Sequence, residues 1–148
     1  MMELICPAGT PAALKSAIDA GADAIYCGFN DETNARNFPG LNFSRDELRK
    51  GIALAHGRGA KILVAINTFP RASAVDIWHR AVDDAASAGA DALILADIGL
   101  MDYAARRHPN QRLHVSCSGC GRQSRCHRLL RRDFRGAARR AAACPERA

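Results

Sequence analysis

The sequence runs to 148 residues, 48% of them apolar, with a formal charge of +6. That is long enough for one domain with a core and too apolar for a disordered chain. No apolar run nears the roughly 18 to 20 residues of a membrane helix, and no basic stretch leads an apolar block, so a cytoplasmic protein with no membrane span is expected.

The charge is unevenly placed. Residues 117–148 hold nine Arg against Asp133 and Glu146, a local +7, which leaves residues 1–116 at −1. The front therefore reads as a near-neutral globular unit with no electrostatic footprint for nucleic acid, and the basic average belongs to the tail. Cys6 and Cys27 are lone thiols in strand-like segments, which suits a reducing compartment.

In chain order, Leu4-Ile5-Cys6 predicts a short strand and Pro7-Ala8-Gly9 its loop. Thr10 is placed to cap the next helix, Pro11 sits where a first-turn proline is tolerated, and Gly21 stops it. Residues 24–29 (AIYCGF) predict a second strand, followed by a long loop to Phe43. Ser44 and Glu47 have capping-box spacing, and Leu48, Ile52 and Ala55 mark a helical face.

Residues 61–68 (KILVAINT) are apolar without alternation, the pattern of a parallel strand covered on both sides. Ile77, Trp78, Ala81, Val82 and Ala85 form the next helical stripe, which stops at Gly89. Residues 92–97 (ALILAD) predict a fourth strand, residues 100–107 a helix, and residues 113–116 a fifth strand. The strings AGADAI at 20–25 and AGADAL at 88–93 repeat one helix-stop-to-strand joint. Repeated αβ units argue for a parallel α/β fold, either a barrel or a doubly wound sheet. A barrel of TIM type needs about 250 residues, so residues 1–116 would be roughly its first half.

In either architecture ligands meet the loops after the strands' C-terminal ends. The loop at 30–42 is dense in polar side chains, and its asparagines serve either a ligand or the turns themselves. Asn67 and Asp97 close strands on the same rim, as ligand contacts or as caps. Asn34, Arg36, Asn67 and Asp97 are the candidate substrate contacts. Arg36 is the leading candidate for an anionic group, because its fork pairs two oxygens. Cys6 reads as a small core residue, and His56, His79, His108 and His114 as surface or core residues. The strings HExxH and GxSxG and a P-loop are absent. In the tail, Cys117, Cys120 and Cys126-His127 suggest a metal site, but a second CxxC pair and apolar surroundings are missing. No metal or cofactor ligand and no catalytic residue is assigned.

Several strings resemble the collagenase-like peptidase family, peptidase family U-thirty-two. They include residues 3–9 (ELICPAG), residues 21–26 (GADAIY) with Gly28, and residues 89–97 (GADALILAD). Residues 31–38 (DETNARNF), 40–43 (GLNF), 65–69 (AINTF), Trp78 with 80–83 (RAVD), and 114–116 (HVS) are similar to its UbiU-like branch. The match covers residues 2–116. It implies a TIM-type barrel, a cytoplasmic setting and oxygen-independent hydroxylation of a small-molecule quinone precursor in ubiquinone biosynthesis. A UbiV-type partner would complete a heterodimer. It also implies a [4Fe–4S] cluster on four cysteines; those lie beyond the matched region, and Cys6 and Cys27 do not correspond to them. A collagenase-like peptidase and a nucleic-acid-binding module using the tail are the alternatives. The Arg-, Ala-, Gly-, Pro- and Cys-rich residues 117–148 have the makeup of GC-rich DNA read out of frame and are expected to stand outside the fold. The fragment alone is expected to be inactive.

Overall fold

The computed structural model describes residues 3–116. The tail expectations, the CxxC string included, lie outside them. Five parallel strands in chain order, β1 (Ile5–Pro7), β2 (Ala24–Gly28), β3 (Lys61–Ile66), β4 (Ala92–Leu95) and β5 (Arg112–Val115), form one sheet. Between them run α1 (Pro11–Asp19), α2 (Arg45–His56), α3 (Val75–Ser87) and α4 (Ile98–Arg107). The order β1-β2-β3-β4-β5 without a strand reversal is the order of a (β/α) barrel.

The helix ends explain the repeated string. Gly21, Gly59 and Gly89 lie at φ 85°, 76° and 91°, where any Cβ is disfavoured. Around each, two bonds close a Schellman motif. Gly21 N–H donates to Ile18 C=O and Ala22 N–H to Ala17 C=O; Gly59 and Ala60, then Gly89 and Ala90, repeat the pattern. The side chains that meet across each closure are alanines, Ala17–Ala22, Ala55–Ala60 and Ala85–Ala90, all buried.

The aspartate after two of these joints locks the register. Asp23 N–H donates to Leu4 C=O (2.9 Å) while its carboxylate accepts from Leu4 N–H (2.7 Å). Asp91 does the same to Ile62, at 2.8 and 2.7 Å, and also takes His56 Nε2 at 2.8 Å. Each carboxylate satisfies a strand N–H that would otherwise have no partner.

The helix-facing side of the sheet is the core. Ile25, Cys27, Phe29, Ile62, Val64, Ile66, Leu93 and Leu95 pack there against Leu14, Leu48, Ile52, Trp78 and Val82. Burying each large aliphatic or aromatic side chain stabilises by roughly 1.5–3 kcal/mol relative to exposure. The other side is concave and thinly covered. It shows Ile5, Tyr26, Leu63, Ile94 and His114, with Ala24, Ala65 and Ala92 between them. Ile5 remains 50% exposed.

The capping residues behave as their spacing predicts. Thr10 caps α1 through Ala13 N–H, and Ser44 with Glu47 forms the reciprocal capping box of α2. The strand ends differ. β1 is shifted one residue, to Ile5–Pro7, because Leu4 is held by Asp23. β2 stops at Gly28, and Phe29 forms an isolated bridge to Phe43. β3 stops at Ile66 because Asn67 and Thr68 bond to the loop after β2. β4 stops at Leu95 because Asp97 is the N-cap of α4, which begins at Ile98 and not at Leu100.

On the outside, Asp83 ties α3 to α4. It accepts from Tyr103 Oη (2.9 Å) and pairs with His108 Nε2 (2.6 Å), and His79 stacks on the Tyr103 ring at 3.8 Å. Burial alone would raise the Asp83 carboxyl, but the bonds from His108 and Tyr103 outweigh it and hold the group below its ordinary value.

Two outcomes are expected. Asp91→Ala, which removes the acceptor of Ile62 N–H, lowers stability in urea by about 1–3 kcal/mol, followed by the fluorescence of Trp78; Arg49→Ala, at an exposed pair, leaves the midpoint in place. The Asp83 contribution is present above the unfolded carboxyl value of about 3.9 and is lost as pH falls through the lower folded value. Asp83→Asn should therefore reduce the acid-induced fall in melting temperature below about pH 4.

Candidate functional site

The strands' C-terminal ends carry one organised feature, the loop between β2 and α2. It is held from three sides. Asn42 adopts φ 74°, which asparagine tolerates, and its N–H reaches Gly9 C=O after β1 at 2.6 Å. Asn67 Oδ1 after β3 accepts from Ala35 N–H at 2.9 Å. Thr68 Oγ1 donates to Glu32 C=O (2.7 Å) and accepts from Trp78 Nε1 (3.0 Å), so the buried indole N–H finds its partner on the rim.

Asn34 lies at the centre of this loop, and Gly28 is the reason it fits. A Cβ on Gly28 would stand 2.4 Å from Asn34 Nδ2. The asparagine thus occupies the concave face where β2 has no side chain, and it is only 6% exposed. Its Nδ2 donates to Phe29 C=O (3.2 Å) and its Oδ1 accepts from Arg36 N–H (3.0 Å). The Cα register Gly28–Ala65–Ile94–His114 continues that level across the sheet to β5.

Arg36 follows with its backbone fixed, its C=O taking Asn42 Nδ2 at 2.8 Å. Its guanidinium reaches the Tyr26 hydroxyl at 3.4 Å, on the concave side. The other rim cations are already matched. Arg45 pairs with Asp31, reaches Asp84 Oδ2 at 3.2 Å and covers the Phe29 ring at 4.0 Å, a cation–π contact. Arg71 pairs with Glu32. Burial would raise the Asp31 carboxyl, but Thr33 and Arg45 together hold it below its ordinary value.

The structure thus brings Asn34, Arg36 and Asn67 together, and Asp97 is engaged as the cap of α4 through Leu100 N–H at 2.8 Å. The amide oxygens of Asn34 and Asn67 are engaged with loop backbone. Two concave-face residues carry chemistry that the sequence reading did not single out. Tyr26 is one. His114 is the other: its Nε2 is buried with no hydrogen-bond partner among the described residues. Burial first, then the charge of Arg112, holds its imidazole below the usual value. The strand's own alternation was the missed signal, since Leu113 and Val115 pack on the core and His114 must point the other way.

A [4Fe–4S] cluster needs four thiolates converging on one volume. The described residues do not fit it. Cys27 is enclosed in the helix-facing core, where burial pushes its thiol up to about 12, and Cys6 packs against that same core. No group of three or more His, Cys, Asp or Glu among the described residues is placed to hold a metal ion.

A parallel half barrel with a built loop at its C-terminal rim is a ligand-binding scaffold of the TIM type. The chain belongs to peptidase family U32, whose model matches residues 9–136. It is 39% identical over 104 residues to an uncharacterized protease of Methanocaldococcus jannaschii, covering 70% of this chain and 25% of that one. It is 34% identical over 115 residues to the tRNA hydroxylation protein P of Helicobacter pylori, covering 78% of this chain and 27% of that one. The solved structure of a U32 peptidase superposes with a TM-score of 0.61 at 15% identity, over 80% of this chain and 50% of that chain, a likeness of fold. The chain thus spans about a quarter of the length of the curated relatives it matches.

Gly28→Ala is expected to destabilise the chain by about 1–3 kcal/mol, because the new methyl displaces a buried, bonded amide. Urea unfolding checks this. Loss should also loosen the rim, read as faster amide exchange at Ala35 and Arg36.

Proposed function

We propose that this chain is the N-terminal barrel half of a family U32 protein that takes part in oxygen-independent hydroxylation of a planar ring, most specifically a quinone precursor in ubiquinone biosynthesis, with a UbiV-type partner. The observation that carries it is the concave rim: one guanidinium, Arg36, over a tyrosine-bearing apolar wall, in a chain similar over 115 residues to a tRNA hydroxylation protein. Tyr26, Leu63 and Ile94 offer ring-sized apolar contact, Arg36 takes a polar or anionic substituent, and Asn34 and Asn67 hold the loop that positions it. The cluster, when bound, supplies the redox chemistry; its ligands come from outside residues 3–116. The described half supplies one wall of the site and is inactive without the second.

The surface favours a small ring over RNA. The front is near neutral, and of the rim carboxylates Asp31 and Glu32 already take Arg45 and Arg71. Phe38, Leu41, Phe69 and Ile98, all on rim loops or the start of α4, are 59%, 42%, 56% and 42% exposed. RNA affinity rests mainly on phosphate contacts with free cations, and this rim has few. The peptidase reading has less support. Of the two His–Asp pairs, His56–Asp91 lies at the bottom joint of the sheet and bonds a backbone N–H, and His108–Asp83 lies on the helical outside and bonds a tyrosine.

The test is anaerobic growth of cells lacking their own family member, supplied with the gene for this chain and the DNA that follows it, together with a UbiV-type partner. Mass spectrometry reads ubiquinone and hydroxylated tRNA nucleosides from the same culture. Ubiquinone restored, and reduced at least tenfold by Arg36→Gln, is the expected result. Hydroxylated tRNA alone would move the proposal to RNA, and neither product would overturn it.

A further inference from the structure

We infer that His114 is a ligand-contacting residue: its imidazole, facing the Tyr26–Arg36 pair across the concave sheet, binds the hydroxyl or carbonyl oxygen of a planar ring lying on Leu63 and Ile94. The inference deepens the reading given under Proposed function and rests on it for the location of the site.

A neutral imidazole has one ring N–H and one bare ring nitrogen, and in either tautomer Nε2 needs a partner when buried. His114 Nε2 is buried and has none among the described residues. Leaving such an atom unpaired is costly, of order 1–3 kcal/mol. The strand parity that sends Leu113 and Val115 into the helix layer turns His114 onto the concave side, in the register of Ile94, Ala65 and Gly28. β2 and β5 stand three strand spacings apart, roughly 14 Å along the sheet. Barrel curvature turns their inward side chains toward each other, and the residues between are small or flat-sided: Ala65, Leu63, Ile94.

The chemistry selects the ligand class. On the concave side, Arg112 is on the same strand as His114, Tyr26 and Arg36 come from β2 and its loop, and β3 carries Lys61 at the far end, paired with Glu3. β4 presents Ala92 and Ile94 and no charge. Burial, and after it the charge of Arg112, holds the ring toward its neutral form, able to accept a hydrogen bond from a hydroxyl or donate one to a carbonyl. A phenol and a pyrimidine both carry such an oxygen on a flat ring.

The experiment uses the full 148-residue chain with ring-¹⁵N histidine, titrated with phenol and, separately, with uridine. The expected result is a movement of the His114 ring resonances on phenol addition. His114→Leu should weaken binding at least fivefold, with His114→Gln recovering part of it, and Trp78 fluorescence unchanged in both. The parent chain should lose affinity as pH falls and the ring protonates, because a charged imidazole has no acceptor. Movement with uridine in place of phenol supports the site and assigns it to a nucleobase. If neither probe moves His114, or the Leu variant binds as tightly as the parent, the inference is overturned. Should the Leu variant not fold, a pH-independent affinity of the parent overturns it. Binding at His114 without any hydroxylated product in cells would leave this site standing and remove the functional reading.

Discussion

The closure of each helix onto the next strand is the constraint from which the rest follows. A parallel sheet needs every helix to stop within a residue or two of a fixed height, or adjacent strands lose register. Here a left-handed glycine ends the helix, an alanine pair seals the joint, and at two joints an aspartate grips the N–H and C=O of one residue at the start of the neighbouring chain segment, Leu4 or Ile62. Replacing one of those alanines with a larger residue would push the strand outward and open the sheet. The glycine cannot carry a side chain cheaply at that φ. The two requirements explain why the strings at 20–25 and 88–93 agree so closely.

Because register is fixed at the bottom of the sheet, the loops at the top are free to differ, and only the one after β2 is long. Its length is used to bring backbone over the concave face, and a glycine in β2 leaves the space that Asn34 fills. Most of the loop's polarity then serves its own conformation. Asn34, Asn42 and Asn67 satisfy backbone groups that a loop at this depth would otherwise leave unpaired. What faces the concave side is a smaller set: Arg36, the Tyr26 hydroxyl and the imidazole of His114.

This division also explains which features were legible beforehand. Caps, helix stops and buried strands are local, and Thr10, the Ser44–Glu47 box and Gly89 declared them by spacing alone. The ends of β3 and β4 were not local. Their apolar runs continue into Asn67 and Asp97, and only the partners of those side chains, Ala35 N–H across the sheet and Leu100 N–H in the next helix, decide where pairing stops. The site was less legible again. A polar-rich loop announces a rim, but separating asparagines that build the loop from side chains that face a ligand requires the backbone bonds. His114 shows the limit from the other direction: one histidine in a short strand carries no motif, and its meaning appears only when parity assigns it to the concave face.

The two faces of the sheet are covered differently. In the helix layer, each strand residue is covered by a helix and the large side chains reach full burial. On the concave side, Ile5 stays half exposed, and the polar atoms of His114 and the Tyr26–Arg36 pair stand among apolar neighbours. A barrel interior built only for stability would be filled with interlocking aliphatic side chains. This wall instead alternates alanine and glycine with a few large residues and carries polar groups at both ends, Lys61 and Arg112 where their strands begin and Arg36 and His114 toward the C-terminal rim. Small residues there leave room over the strands, and at Gly28 the side chain of Asn34 takes it. The level of Gly28, Ala65, Ile94 and His114 is therefore where the wall departs from such an interior, with Asn34 over the glycine and His114 Nε2 without a partner among the described residues.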